Sequence, residues 1–144
     1  MALAFYQEKN TSSAFSDPLR SFHHGPMGSV HEEIVYIHNT DSSKYYSNVL
    51  LTFEVTDYDD WGELGATGWG VKLMYGERRP TEAEWNLVRS GEGIQLPDIG
   101  ESWSADTGTY HPVWIRIVSP ANEVAQIRSG QQLKLTALEH PVGA

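Results

Sequence analysis

Val49-Leu50-Leu51-Thr52-Phe53-Glu54-Val55-Thr56 puts Val49, Leu51, Phe53 and Val55 on one parity and Leu50, Thr52, Glu54 and Thr56 on the other. Successive side chains of an extended chain point to opposite faces, so this period of two predicts a strand with one buried face. Three further stretches repeat the pattern. They are Trp69, Val71, Leu73 and Tyr75; then Val113, Ile115 and Ile117; then Leu133, Leu135 and Ala137 against Gln132, Lys134, Thr136 and Leu138. Pro112 falls at the start of the second of these, where a missing N–H is tolerated. Upstream, Val30–His38 carries Val30, Ile34 and Tyr36 on one face and Val35 and Ile37 on the other, so both its faces are expected to be covered. Asn39-Thr40-Asp41-Ser42-Ser43 reads as the turn that follows.

One segment breaks the β pattern. Pro80-Thr81-Glu82-Ala83-Glu84-Trp85-Asn86-Leu87-Val88 has Thr81 and Glu84 at capping-box spacing. A short helix over Thr81–Val88 is expected, with Trp85 and Val88 inward and Gly91 or Gly93 ending it. Several short strands between Gly, Pro and Asp loops, with no βαβ alternation, predict an all-β fold. Its expected form is an antiparallel β-sandwich, Ig-like or jelly-roll-like, with a small closed barrel as the second choice.

Residues 1–29 read differently from residues 30–144. The stretch 9–29 is rich in Asn, Ser, Thr, Gly and Pro, yet the segment holds Phe5, Tyr6, Phe15, Leu19 and Phe22 at irregular spacing. Five large apolar side chains without periodicity suit pockets met one at a time. The expectation is an extended N-terminal arm, draped over its own domain or over a neighbouring subunit, in front of a β-sandwich domain at 30–144. An arm of about 25 residues reaches on the order of 80 Å. Phe5, Tyr6, Phe15, Leu19 and Phe22 are therefore candidate subunit contacts. Trp114 joins them, because with Val118 it lies on the opposite parity from Val113, Ile115 and Ile117.

The totals exclude several classes of function. With 19 acidic and 10 basic residues the net charge is −9, a field that repels nucleic acid and anionic membrane surfaces alike. Cysteine is absent, which removes disulfides and thiolate chemistry. The opening Met-Ala-Leu-Ala-Phe-Tyr has no basic stretch leading into an apolar run, so neither a signal peptide nor a transmembrane segment is expected.

Candidate chemistry is sparse. The six histidines form no HxH, HExxH or HxxxH pair, and are expected at the surface or in turns. Asp57-Tyr58-Asp59-Asp60-Trp61-Gly62-Glu63 starts like an EF-hand loop, but Trp61 takes a ligand position and Gly68 stands where the bidentate Glu belongs. No metal site and no cofactor are expected. Ser102, Ser104, Asp106 and His111 lie near one another in sequence without a Gly-x-Ser-x-Gly turn, and Gly65–Gly70 lacks the ending of a phosphate loop. A non-enzymatic module is the expectation. Trp61, Trp103, Tyr58 and Tyr110 fall in expected loops, where they could stack on sugar rings; a carbohydrate-binding module, of a tail or baseplate adhesin type, is the alternative reading.

Two segments carry a family resemblance. Val35-Tyr36-Ile37-His38-Asn39-Thr40-Asp41-Ser42-Ser43-Lys44-Tyr45-Tyr46-Ser47-Asn48-Val49 resembles the strand, Asn-Thr turn, aromatic pair and second strand that open β-sandwich virion proteins of tailed bacteriophages. Pro112-Val113-Trp114-Ile115-Arg116-Ile117-Val118-Ser119-Pro120-Ala121-Asn122 is similar to the Pro-Val-Trp-Val-Arg strand near their C-termini. The chain departs from that pattern at Asn122, where a turn Gly is usual, at its expected helix and at its long arm. The resemblance implies a head decoration or cement protein, or a head–neck protein, assembled in the host cytoplasm and carried in the virion. It implies capsid, neck or tail subunits as partners, along with further copies of the chain.

Overall fold

The computed structural model describes residues 2–6, 19–23, 29–55, 70–88, 92–119 and 126–143. The strands in them are β1 Leu3–Tyr6, β2 Leu19–His23, β3 Ser29–Asn39, β4 Lys44–Val55, β5 Gly70–Tyr75, β6 Asn86–Val88, β7 Gly93–Leu96, β8 Tyr110–Ser119 and β9 Gln126–Pro141. The described residues are all-β and form two antiparallel sheets. One has the order β1-β3-β8-β5-β6 and the other β2-β9-β4-β7. The pairs nest: β5 with β6, β4 with β7, β3 with β8 and β2 with β9, while β1 adds an outer strand beside β3.

The alternating residues meet between the sheets. Val35, Ile37, Leu73, Val113, Ile115 and Ile117 come from the first sheet; Val49, Leu51, Phe53, Leu96 and Leu133 come from the second, and all join one buried cluster. Each such side chain contributes about 1.5–3 kcal/mol by leaving water, an upper figure because unfolded chains already hide some of this surface.

One irregularity completes that core. Ser47 lies opposite Leu138 and Leu50 opposite Thr136, so Asn48 and Val49 together face a single residue of β9. Asn48 takes a φ of 49°, which Asn tolerates better than most residues. The extra residue switches the buried parity from Tyr46 to Val49, Leu51 and Phe53. Tyr46 is thereby wholly buried.

The helix expected over Thr81–Val88 does not form. Glu82–Glu84 is a turn, and Asn86–Val88 is strand β6, pairing with Val71–Leu73 of β5. The local signal was real but short-ranged. The Thr81 N–H donates to the Glu84 carboxylate at 2.8 Å, and the Glu84 N–H to the Thr81 carbonyl at 3.0 Å. Both interactions are complete within one turn, and pairing with β5 then captures the rest. Trp85, expected to face inward from that helix, is buried instead outside the core cluster, beneath the Arg116 side chain.

Within residues 1–29, Leu3–Tyr6 and Leu19–His23 are strands of these same sheets. Leu3–Tyr6 pairs with Tyr36–Asn39, and Leu19–His23 pairs with Gln126–Gln131. Leu3 is buried in the shared core.

Candidate assembly surface

The expected contact residues divide between places. Phe5 lies opposite Ile37 and packs against the core cluster; Tyr6 lies opposite Tyr36, on the outer face of the first sheet. Leu19 and Phe22 occupy β2, opposite Gln131 and Ile127. Phe15 lies outside the described residues, as do Tyr58, Trp61 and the Asp57–Glu63 loop.

Trp114 is half-exposed on the outer face of the first sheet, where the connection between β5 and β6 lies across it. The Trp114 indole N–H donates to the Glu77 carbonyl at 3.0 Å, and the Gly76 N–H to the Pro112 carbonyl at 2.9 Å. A covering layer over this face was expected, and part of it is the chain's own segment. An ionic network secures that segment. Arg116 stands opposite Glu32 in the β3–β8 register and donates to it at 2.6 and 2.8 Å, while its remaining nitrogen donates to Glu82 at 2.8 and 2.9 Å. Arg79 grips the same Glu32 at 2.8 and 2.9 Å. Hydrogen bonds from Arg79 first, then Arg116, hold the Glu32 carboxyl below the usual carboxylate range. The Arg116 guanidinium also sits 4.8 Å over the Trp85 ring, so the one cation both pairs and packs. Only 6 % of Arg116 is exposed. Reading by pattern missed this network, although the parity that turns Trp114 outward also turns Arg116 there.

The histidines are not all at the surface, contrary to the sequence expectation. His38 is buried on the outer face, edge-on to Tyr6 with ring centroids 5.1 Å apart and beside Tyr110 at 6.2 Å. Tyr110 in turn meets Tyr36 edge-on at 5.4 Å. His111 faces Tyr75 at 5.8 Å, and burial pushes its imidazole below the ordinary value. Its Nδ1 has no partner among the described residues. Both histidines fill aromatic packing positions.

The second sheet offers a different kind of surface. On one side of β9 the ladder with β4 continues from Gln131 to Pro141. On the other side β2 pairs only as far as Gln131. Residues 132–141 therefore present an edge that no described strand covers. Leu138 lies on it with 53 % of its surface exposed. An uncovered edge displays backbone N–H and C=O groups at strand spacing and is a template for a further strand.

No family model, no curated protein and no solved structure matches the chain.

Proposed function

We propose that this chain is a non-catalytic structural protein of a tailed-phage particle, a head decoration, cement or head–neck protein that acts through contacts between subunits. The observation that carries the reading is the edge of β9 over residues 132–141, which no strand among the described residues covers, with the exposed Leu138 upon it. Long edges are normally shortened, charged or covered in proteins that stay monomeric. A strand or arm from a capsid, neck or tail subunit, or from another copy of the chain, completes the ladder.

The nested pairing supports the same reading. Strands β2 with β9, β3 with β8, β4 with β7 and β5 with β6, divided between two sheets, follow the wiring of a jelly roll, and we assign the sandwich to that type. Jelly rolls occur in viral capsid domains and in lectins. Fold analogy alone does not choose between them, so the edge carries the argument. The resemblance of Val35–Val49 and Pro112–Asn122 to virion proteins points the same way.

The test is compositional. Particles purified from cells producing the phage that encodes the chain should contain it in a fixed ratio to the major capsid protein. Leu138→Arg, on an exposed side chain, should melt like the wild type yet be depleted from particles. Particles lacking the wild-type chain would overturn the proposal, and undiminished incorporation of Leu138→Arg would remove the β9 edge as its means.

A further inference from the structure

The loop between β7 and β8 holds the most exposed large aromatic among the described residues. Trp103 is 77 % exposed. A lone apolar side chain at the surface is ordinary, and by itself asks for no explanation. Here the backbone around it is closely tied.

Ser102 and Trp103 form the tip of a tight hairpin closed by two bonds, the Glu101 N–H to the Ser104 carbonyl at 2.6 Å and the Ser104 N–H to the Glu101 carbonyl at 3.0 Å. Gly100 precedes it with a φ of +82°, and a Cβ there would lie 2.5 Å from the Ser104 carbonyl oxygen. Asp106, at φ 56°, turns the chain away on the other side. Two buried residues pin the base. Ile99 exchanges both backbone bonds with Tyr46, each at 2.9 Å, and the Ala105 carbonyl accepts from Asn39 Nδ2 at 2.6 Å. At the tip, the Gly143 N–H donates to the Ser102 carbonyl at 2.6 Å. The backbone that carries Trp103 is thus held at the tip of the loop, and its side chain is exposed there.

Beside it opens a cleft of about 390 Å³, lined by Asp98, Gly100, Glu101, Trp103, Ser104 and Asp106. That volume lies within the range of small-molecule sites. An indole and hydroxyl-accepting oxygens in one lining suit the two halves of a pyranose, its C–H face and its ring of hydroxyls. Among the described residues no Lys or Arg lines the cleft, and three carboxylates do, so a negatively charged sugar is repelled.

We propose that this cleft binds an uncharged pyranose of a glycan, with Trp103 as the stacking platform and Asp98, Glu101, Ser104 and Asp106 as hydroxyl partners. It is a second property of the chain, independent of the β9 edge. In a particle that carries many copies, weak single sites would add through multivalency.

The test titrates the full-length chain with neutral hexasaccharides (malto-, cello-, xylo- and N-acetylchito-oligomers), followed by calorimetry and tryptophan fluorescence. Oligogalacturonate and sialyllactose serve as anionic probes. At least one neutral oligomer should bind, and Trp103→Ala should weaken that binding by about tenfold or more while Trp103→Phe retains most of it. Because Trp103 is exposed, both variants should melt like the wild type, which separates lost binding from lost folding. The proposal falls if no neutral oligomer binds, if Trp103→Ala binds as well as the wild type, or if only the anionic probes bind.

Discussion

Replacing Tyr46 by Phe removes one oxygen from a position where three parts of the chain meet. The hydroxyl donates to Glu139 Oε1 on β9 at 2.8 Å and accepts the Ala2 N–H, just ahead of β1, at 3.0 Å. The ring stays buried in the core and the backbone bonds to Ile99 are untouched. A neutral hydrogen bond contributes about 0.5–1.5 kcal/mol net, and one to a charged acceptor about 1.5–3 kcal/mol. Glu139 is exposed, so water can replace much of what it loses. The expected cost is about 1–2.5 kcal/mol in total. For a chain of this size each kcal/mol lowers the Tm by about 2–4 °C, which gives a fall of about 2–10 °C by calorimetry. Amide exchange adds a local readout. The N–H groups of Leu3–Tyr6 should lose protection in Tyr46→Phe more than those of β8, because their strand is released at its start. A variant that melts within about 1 °C of the wild type, with exchange unchanged at residues 3–6, would refute the view that this hydroxyl ties the N-terminal strand to the core.

Stability at alkaline pH should follow the same residue. Burial raises the phenol of Tyr46 above its ordinary value, and Tyr75 likewise. Their contribution is complete below about pH 10, the unfolded value, and declines as pH rises toward the folded value; the decline in Tm should be shallower in Tyr46→Phe. At acid pH the sign reverses. The Thr81 backbone N–H first, then Arg78, hold the Glu84 carboxyl down to about 2. Its contribution is present above the ordinary carboxylate value and is lost as pH falls toward 2, so an NMR titration should find its midpoint there and higher in Arg78→Ala. Gly93→Ala would place a Cβ 1.8 Å from the Leu51 carbonyl oxygen, a backbone clash that separates β7 from β4 at about 2–3 kcal/mol, measurable by urea unfolding. Arg116→Ala should cost about 3 kcal/mol in the same assay, the lower end for a buried pair, because Glu32 keeps Arg79 and Glu82 reaches water.

Which parts of this were readable without the structure follows from the range of the forces involved. Alternation located Val49, Leu51 and Phe53, then Val113, Ile115 and Ile117, then Leu133, because a period of two depends only on neighbours in sequence. Tyr46 was not assigned to the core, since the bulge at Asn48 shifts the buried parity and only pairing with β9 reveals it. Thr81–Val88 read as helix because Thr81 and Glu84 satisfy one turn locally, while the competing partner, β5, is distant in sequence. Residues 3–6 and 19–23 are too short to show a period, and their strands exist through Tyr36–Asn39 and Gln126–Gln131. His38 and His111 looked like surface residues because the aromatic rings that enclose them come from other strands. Of the candidate sites, Trp103 was legible as a loop aromatic; the cleft beside it was not, because Asp98 and Asp106 meet there only through the bonds that close the loop.

The assembly reading is tested most directly by hydrogen exchange at residues 132–141, compared between the free chain and the chain within purified particles. In the free chain, amides on the side of β9 that no described strand covers should exchange readily while those bonded to β4 are protected. In the particle the readily exchanging set should become slow, as a neighbour's strand or arm completes the ladder. Unchanged exchange at residues 132–141 on incorporation, or a chain that never enters the particle, would contradict it.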